Sequence, residues 1–346
     1  MSGVSSFTEV PEIDISGLRS ADPGGRQRVV DLLGAASRDV GFCYLRGTGV
    51  APELFAELLT VTRRFFALPL ESKLRHYIGN STCHRGYVPE GEEVFSGGTV
   101  DRKEAFDTGL DLPADDPDHL AGNPLLGPNQ WPELPGFAAA VTAYYTAVLD
   151  LGRLLLPAFA CALGEPPEAF ERYVTKPPSQ LRLIHYPFDP DARDAQGIGA
   201  HTDYECFTLL RPTAPGLEVL NGAGEWIDVP PRPDAFVLNV GDMLETWTNG
   251  EFVATTHRVR KVREERYSFP LFFCVDYDTA VAPLPQFVRP DRPAWPTVRA
   301  GEHLFAQTAQ SFGYLKRRIA AGELALPAGA LALSSFGQEA LQRVRP

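Results

Sequence analysis

His201 and Asp203 stand two residues apart in HTDYECFTLL, and His257 follows in ATTHRVRKV. Side chains at i and i+2 of a strand point to one face, so this spacing predicts that His201 and Asp203 project together. One more imidazole from a neighbouring strand completes a set of two nitrogens and one carboxylate oxygen. On an octahedral ion that set leaves three positions open, which suits Fe(II). A bare HxD has little specificity, and any one of seven histidines is more often surface or satisfied core than a ligand. Zinc accepts the same donors, but its sites generally close at four ligands or need a general base nearby.

A second pair raises the pattern above that background. In RYSFPLFF, Arg266 and Ser268 share one strand face with Pro270 and Phe272, among Phe269, Leu271 and Phe273. A guanidinium in so apolar a strand is costly to bury unpaired. Its planar fork suits a carboxylate, and the serine hydroxyl adds a donor. The carboxylate could belong to a ligand or to one of the 44 acidic residues of the chain, and spacing leaves both readings open.

These residues need strands to hold them. After Pro178 the pattern alternates with period two in SQLRLIHYPF, CFTLLRP, GLEVLNG, EWIDVP, DAFVLNVGDML, ATTHRVRKV and RYSFPLFFCVDYD. Short strands separated by Gly, Pro, Asn and Asp predict an antiparallel sandwich or barrel. Upstream, VPEIDIS and GFCYLRGTGV read as strands, while 26–37 has Val29, Leu32, Leu33 and Ala36 at helical spacing. PELFAELLTVTRRFFALP is an amphipathic helix that Pro69 stops.

The longest helical stripe spans 132–164, running from Phe137 through Tyr144 and Leu151 to Phe159. Tyr144 and Tyr145 read as core residues, and Pro157 should kink or split the helix. Residues 76–127 are rich in Gly, Pro and Asp, with one strand near KEAFDTGLDLP; a loop region this long is usually functional or disordered, and the alternative is part of the wall over a pocket. After a Pro-rich loop, one helix is expected on Phe305, Ala309, Phe312, Leu315 and Ile319. The expected organisation is one compact unit: an N-terminal region (1–125), bracing helices (126–178), a catalytic core (179–276) and C-terminal loop and helices (277–346).

Composition is that of a globular chain with a sizeable core, 44% hydrophobic and 22% charged over 346 residues. The formal charge of −12 argues against nucleic acid as a partner. Five cysteines without a CxxC pair read as reduced thiols of a cytoplasmic protein. No basic region followed by an apolar run is visible at the N-terminus, and no stretch approaches 18 consecutive apolar residues, which argues against a conventional membrane span.

Taken together, HTDYECFTLL, NVGDMLETWTNGEFVATTHRV, RYSFPLFF and LRLIHYP resemble the Fe(II)/2-oxoglutarate-dependent oxygenases of the isopenicillin N synthase-like family. Upstream, VPEIDIS, GFCYLRGTGV, FFALPLESK and NQWP match in the same order, so the resemblance covers about residues 10 to 276. It implies a mixed α and β fold: a distorted double-stranded β-helix (jelly roll) core with packed N-terminal and C-terminal helices. It also implies that His201, Asp203 and His257 bind Fe(II), and that Arg266 and Ser268 hold the distal carboxylate of 2-oxoglutarate, with Tyr186 touching the oxo-acid. O2 is the co-reactant, and the oxo-acid leaves as succinate and CO2. Three departures stand out: Ile184 where many members have Asn, Arg211-Pro212 where many have Gln-Asp, and Arg46-Gly47-Thr48-Gly49 in place of Asn-His-Gly. The carboxylate of Asp203 favours hydroxylation, desaturation or ring closure over halogenation, which needs that position open.

The expected substrate is a small natural-product or amino-acid-derived molecule. Candidate pocket residues are Phe272, which shares the Arg266 face, with Tyr204, Phe106, Tyr87 and Trp247, each of which reads equally as core. Glu205 faces inward if the strand stays regular past Asp203, and Tyr204 does if it does not. Three other activities fit the motifs: an oxidase that does not use 2-oxoglutarate, fragmentation of 2-oxoglutarate to ethylene, suggested by RGYVPEGEEVFSGG, and a non-catalytic binding protein.

Overall fold

The computed structural model describes residues 4–94, 103–188, 196–260, 264–327 and 329; the last residues of RGYVPEGEEVFSGG and of the C-terminal region lie outside them. The alternating segments form β1 (Glu12–Asp14), β2 (Phe42–Arg46), β3 (Gly86–Val88), β4 (Glu104–Gly109), β5 (Gln180–Tyr186) and β6 (Gln196–His201). They continue as β7 (Phe207–Pro212), β8 (Leu217–Leu220), β9 (Trp226–Asp228), β10 (Phe236–Val240), β11 (His257–Arg260) and β12 (Arg266–Phe273). Eight pair in the order β1-β2-β10-β7-β12-β5-β4-β3, and four in the order β6-β11-β8-β9. Strands remote in sequence therefore lie side by side, as a jelly roll requires. Two further strands, β13 (Ala280–Val281) and β14 (Val298–Arg299), pair with each other. The N-terminal region is not a separate layer, because β1 to β4 extend both edges of the larger sheet.

The helices are α1 (Pro23–Asp39), α2 (Pro52–Phe66), α3 (Leu70–Leu74), α4 (Pro117–Leu120), α5 (Phe137–Ala162), α6 (Asp242–Trp247), α7 (Ala300–Ser311) and α8 (Gly313–Ala320). Asp22 caps α1 by accepting from the N–H groups of Gly24 and Gly25, ahead of Pro23 in the first turn. Helix α5 braces the larger sheet, touching α1, α2 and β12. Its Gly152 makes this possible, since a Cβ there would lie 2.2 Å from a ring carbon of Phe273 on β12. Phe65, Phe106 and Phe137 tie α2, β4 and α5 together, with ring centroids 4.9 to 5.2 Å apart. Each such contact adds about 1 kcal/mol beyond area burial. Among the described residues α5 alone is long and apolar enough to cross a membrane, and here one face of it, Tyr144 and Tyr145 included, is buried in the core.

Several boundaries differ from the sequence expectation. Helix α5 stays one helix through Pro157, because Leu155, Leu156, Ala158 and Phe159 are all buried and tertiary packing outweighs one lost hydrogen bond. The segment DAFVLNVGDML is not a single strand: β10 ends at Val240 and α6 begins at Asp242. The single C-terminal helix is two, broken at Phe312, whose extended backbone (φ −85°, ψ 125°) sends its ring inward. Leu32, placed on the buried face of α1, is 53% exposed.

Candidate active site

His201 ends β6 and His257 begins β11, and the two are direct partners across that antiparallel pair, followed by a register shift. Their ring centroids lie 4.3 Å apart. Asp203 is not in a strand, as the i, i+2 argument supposed, because the chain leaves β6 at His201 and re-enters a strand only at Phe207. Its side chain nevertheless reaches the same place. Oδ1 is 3.6 Å from His201 Nε2 and 3.5 Å from His257 Nε2. One donor atom from each of the three buried residues lies within 4.8 Å of the others, which fits a metal ion.

The surroundings orient this set. His201 Nδ1 is 2.8 Å from the Gly199 carbonyl and His257 Nδ1 is 3.2 Å from the Thr255 carbonyl. A carbonyl only accepts, so each Nδ1 carries the proton and each Nε2 presents its lone pair to the centre. Asp203 Oδ2 accepts from Asn239 Nδ2 at 2.7 Å and from the Thr208 hydroxyl, leaving Oδ1 for the ion. Burial works to raise the pKa of Asp203, but His257 and His201 beside it hold it well below the ordinary carboxylate range. Burial, then the neighbouring His257, lowers His201; burial also opposes charge on His257, but Asp203 outweighs it and raises that imidazole. The donor set is thus poised as one anion and two imidazoles around a cation site.

A cavity of about 690 Å³, including its open mouth, lies between the two sheets. His201, His257, Ile198, Leu217 and Val259 line it from the smaller sheet, and Tyr186, Ile184, Thr208, Leu210, Arg266 and Ser268 from the larger. Arg266 is 1% exposed and its Nε donates to the Ala214 carbonyl at 3.1 Å. Among the described residues no carboxylate pairs with it, and neither its Nη1 nor the Tyr186 hydroxyl has a hydrogen-bond partner. The guanidinium lies 4.7 Å from the Tyr186 ring centroid, and burial lowers its affinity for the proton. Buried donors without acceptors are costly, and an anionic ligand seated against them removes that cost. The internal ion pair that the sequence left open is therefore not what Arg266 makes here. Ile184, opposite Ser268, gives this end an apolar wall.

The five pocket candidates divide. Phe272 and Tyr204 line the cavity, and residues 202–206 are irregular, which turns Tyr204 inward. Three do not line it. Tyr87 donates to Glu104 at 2.6 Å and packs on Phe65; Phe106 packs between Phe65 and Phe137; Trp247 stacks on Phe170 at 4.7 Å. The Tyr87 and Phe106 strands lie beyond β5 at the sheet edge, and Trp247 sits on a helix rather than a strand, so each faces core.

Sequence reasoning missed Glu93, Lys103 and Arg182, which also line the cavity. Arg182 was legible: with Ile184 and Tyr186 it continues one face of β5 at steps of two. Glu93 is fully buried, which pushes its carboxyl up, but Arg182 and Lys103 hold it down at about 2 from 4.5. A depressed folded pKa stabilises at pH values above the unfolded pKa, and that stability disappears as pH falls from about 4.5 to about 2. The shift corresponds to about 3 kcal/mol. Acid titration of Glu93→Gln is expected to show a shallower loss of stability in that window than the unaltered protein; superimposable acid limbs would rule out the linkage.

Comparison with known proteins agrees with this geometry. Residues 10–134 match the profile described as non-haem dioxygenase in morphine synthesis N-terminal, and residues 177–275 that of the 2OG-Fe(II) oxygenase superfamily. A homoarginine-6-hydroxylase of Oryza sativa subsp. japonica is 36% identical over 327 residues, spanning 89% of this chain and 99% of its own. A 2OG-Fe(II) oxygenase family protein of Caulobacter crescentus superposes with a TM-score of 0.76 at 30% identity, covering 91% of this chain and 99% of that one. A full-length Neurospora crassa protein, solved in complex with alpha-KG, superposes at 0.74 with 25% identity, covering 92% and 99%. With both halves matched in order and a donor triad facing an unpaired arginine between two sheets, the chain belongs to the isopenicillin N synthase-like 2-oxoglutarate/Fe(II) oxygenases and is a 2-oxoglutarate-dependent dioxygenase.

Proposed function

We propose that His201, Asp203 and His257 hold the Fe(II), that Arg266, Ser268 and Tyr186 hold the distal carboxylate of 2-oxoglutarate, and that the enzyme oxidises a C–H bond of a small natural-product or amino-acid-derived molecule. The observation that carries this reading is the pair of orphaned buried donors, Arg266 Nη1 and the Tyr186 hydroxyl, in the same cavity as three convergent metal-donor atoms. Bound Fe(II) and 2-oxoglutarate together supply, with O2, an oxidant able to abstract hydrogen, and the oxo-acid leaves as succinate and CO2.

The chain's own part is positioning. Thr208 and Asn239 fix the Asp203 carboxylate so that a single oxygen faces the ion. The carbonyls of Gly199 and Thr255 fix both imidazole tautomers. Ile184, Leu210, Leu217 and Val259 exclude water around the cosubstrate, which strengthens the pairing of Arg266 with its carboxylate.

Anaerobic addition of Fe(II) and then 2-oxoglutarate is expected to give the weak visible charge-transfer band of an iron-bound oxo-acid, and succinate should accumulate in step with product. Product formed without 2-oxoglutarate and without succinate would replace this reading by that of an oxidase.

A further inference from the structure

This inference rests on the oxygenase reading and concerns the end of the cavity away from Arg266. The inward face of β5 runs from Tyr186 through Ile184 to Arg182, whose partner on β4 is Asp107. Arg182 grips both carboxylate oxygens of Asp107, from Nε at 2.7 Å and from Nη2 at 2.8 Å. Its Nη1 donates to both oxygens of Glu93, at 3.1 and 3.0 Å, and Lys103 Nζ lies 2.9 Å from Glu93 Oε2. All four residues are at most 7% exposed. Glu93, Lys103 and Arg182 line the cavity, while Asp107 stands behind Arg182.

The C-terminal helices fix this cluster in place. The N–H of Val94 donates to the Ser311 carbonyl at 2.9 Å, and that of Gly313 to the Glu92 carbonyl at 2.8 Å. The Phe312 ring lies under the Arg182 guanidinium, 5.2 Å from its centroid. The break between α7 and α8 thus holds the segment bearing Glu93.

Among the described residues of this cluster, two acids and two bases balance. A buried charge is tolerated only when paired, and these four already pair with one another. A cationic substrate reaches Glu93 only by displacing Lys103 or Arg182. An anionic one leaves three negative groups facing two positive ones. An uncharged oxygen acceptor disturbs neither balance, and Arg182 Nη2 carries a second hydrogen beyond the one given to Asp107. The remaining wall nearby, Phe272, Pro270 and Ile184 with Tyr204, is largely apolar. We propose that Glu93, Lys103, Arg182 and Asp107 form the substrate-recognition cluster, and that it selects an uncharged, mostly apolar molecule bearing a carbonyl or hydroxyl oxygen over cationic amino acids. The rice homoarginine hydroxylase would then differ from this enzyme in substrate charge.

The test is an anaerobic titration of the Fe(II)–2-oxoglutarate complex with three probes: 4-methoxyacetophenone (neutral), L-homoarginine (cation) and indole-3-acetate (anion). Perturbation of the visible band reports binding, and 2-oxoglutarate consumption in air reports productive binding. The neutral ketone is expected to bind at least about tenfold more tightly than either charged probe. Lys103→Gln leaves Glu93 with surplus negative charge and should shift preference at least about tenfold toward homoarginine; Glu93→Gln should shift it similarly toward indole-3-acetate. A merely structural cluster would weaken all three probes alike. Homoarginine bound by the unaltered enzyme as tightly as the ketone, no response to any probe, or preferences unmoved in both variants overturns the proposal. Absence of the band before any probe is added defeats the oxygenase assignment itself, so the two failures are distinct.

Discussion

Asp203→Ala is expected to abolish turnover and to weaken Fe(II) binding far more than substitution of any cavity residue outside the donor triad. Asp203 supplies the only carboxylate oxygen of the donor triad. Its removal also leaves Asn239 Nδ2 and the Thr208 hydroxyl without their acceptor and takes the anionic donor away from beside two buried imidazoles. Substituting an outer partner of a metal ligand typically lowers affinity or activity about 10- to 100-fold. Loss of the ligand itself should exceed that. Fe(II) binding followed by the charge-transfer band, with succinate release as the second readout, measures it. Retention of wild-type kinetics in Asp203→Ala would refute the site assignment. Asn239→Ala, which loosens the carboxylate without removing it, should fall inside the smaller range.

Arg266→Ala is expected to raise the 2-oxoglutarate concentration needed for half-maximal rate at least about thirtyfold. Truncating one partner of a buried charge pair costs about 2 to 5 kcal/mol. The same substitution should change the thermal midpoint of the ligand-free protein far less. Among the described residues the Arg266 side chain makes one hydrogen bond, to the Ala214 carbonyl, and its buried Nη1 has no partner, so little native pairing is lost. The stabilisation conferred by saturating 2-oxoglutarate should disappear, since a ligand stabilises only in proportion to its affinity for the native state. Arg266→Lys keeps the charge but not the fork and should lie between the two. An unchanged 2-oxoglutarate requirement in Arg266→Ala would move the cosubstrate elsewhere in the cavity.

The proposed histidine ligands and the proposed cosubstrate residues stand on different sheets, and Asp203, in neither, is held by Thr208 and Asn239 of the larger one. His201 and His257 belong to β6 and β11, whereas Arg266, Ser268 and Tyr186 belong to β12 and β5. Only the packing of one sheet over the other places them around a shared cavity. The helix α5, through the close approach of Gly152 to Phe273, bears on β12 from the outside and so on the strand that carries Arg266.

By itself the sequence determined the reaction class. The motifs that carry His201, Asp203, His257, Arg266 and Ser268 stand in the order of a known family, and the period-two pattern after Pro178 predicted short strands, of which all of these but Asp203 are part. Local alternation was enough to aim Phe272 with Arg266, because strand geometry depends only on neighbouring residues. Tertiary structure alone decided the rest. It showed that Asp203 reaches the centre from outside a strand, held by Thr208 and Asn239 from two other strands. It sent Tyr87, Phe106 and Trp247 into core, since an aromatic side chain gives no local sign of which packed layer it faces. And it assembled Glu93, Lys103, Arg182 and Asp107 into one paired cluster. Long-range pairing of buried charges has no sequence period to reveal it, because the partners meet through strand neighbours and a C-terminal helix break rather than through spacing along the chain.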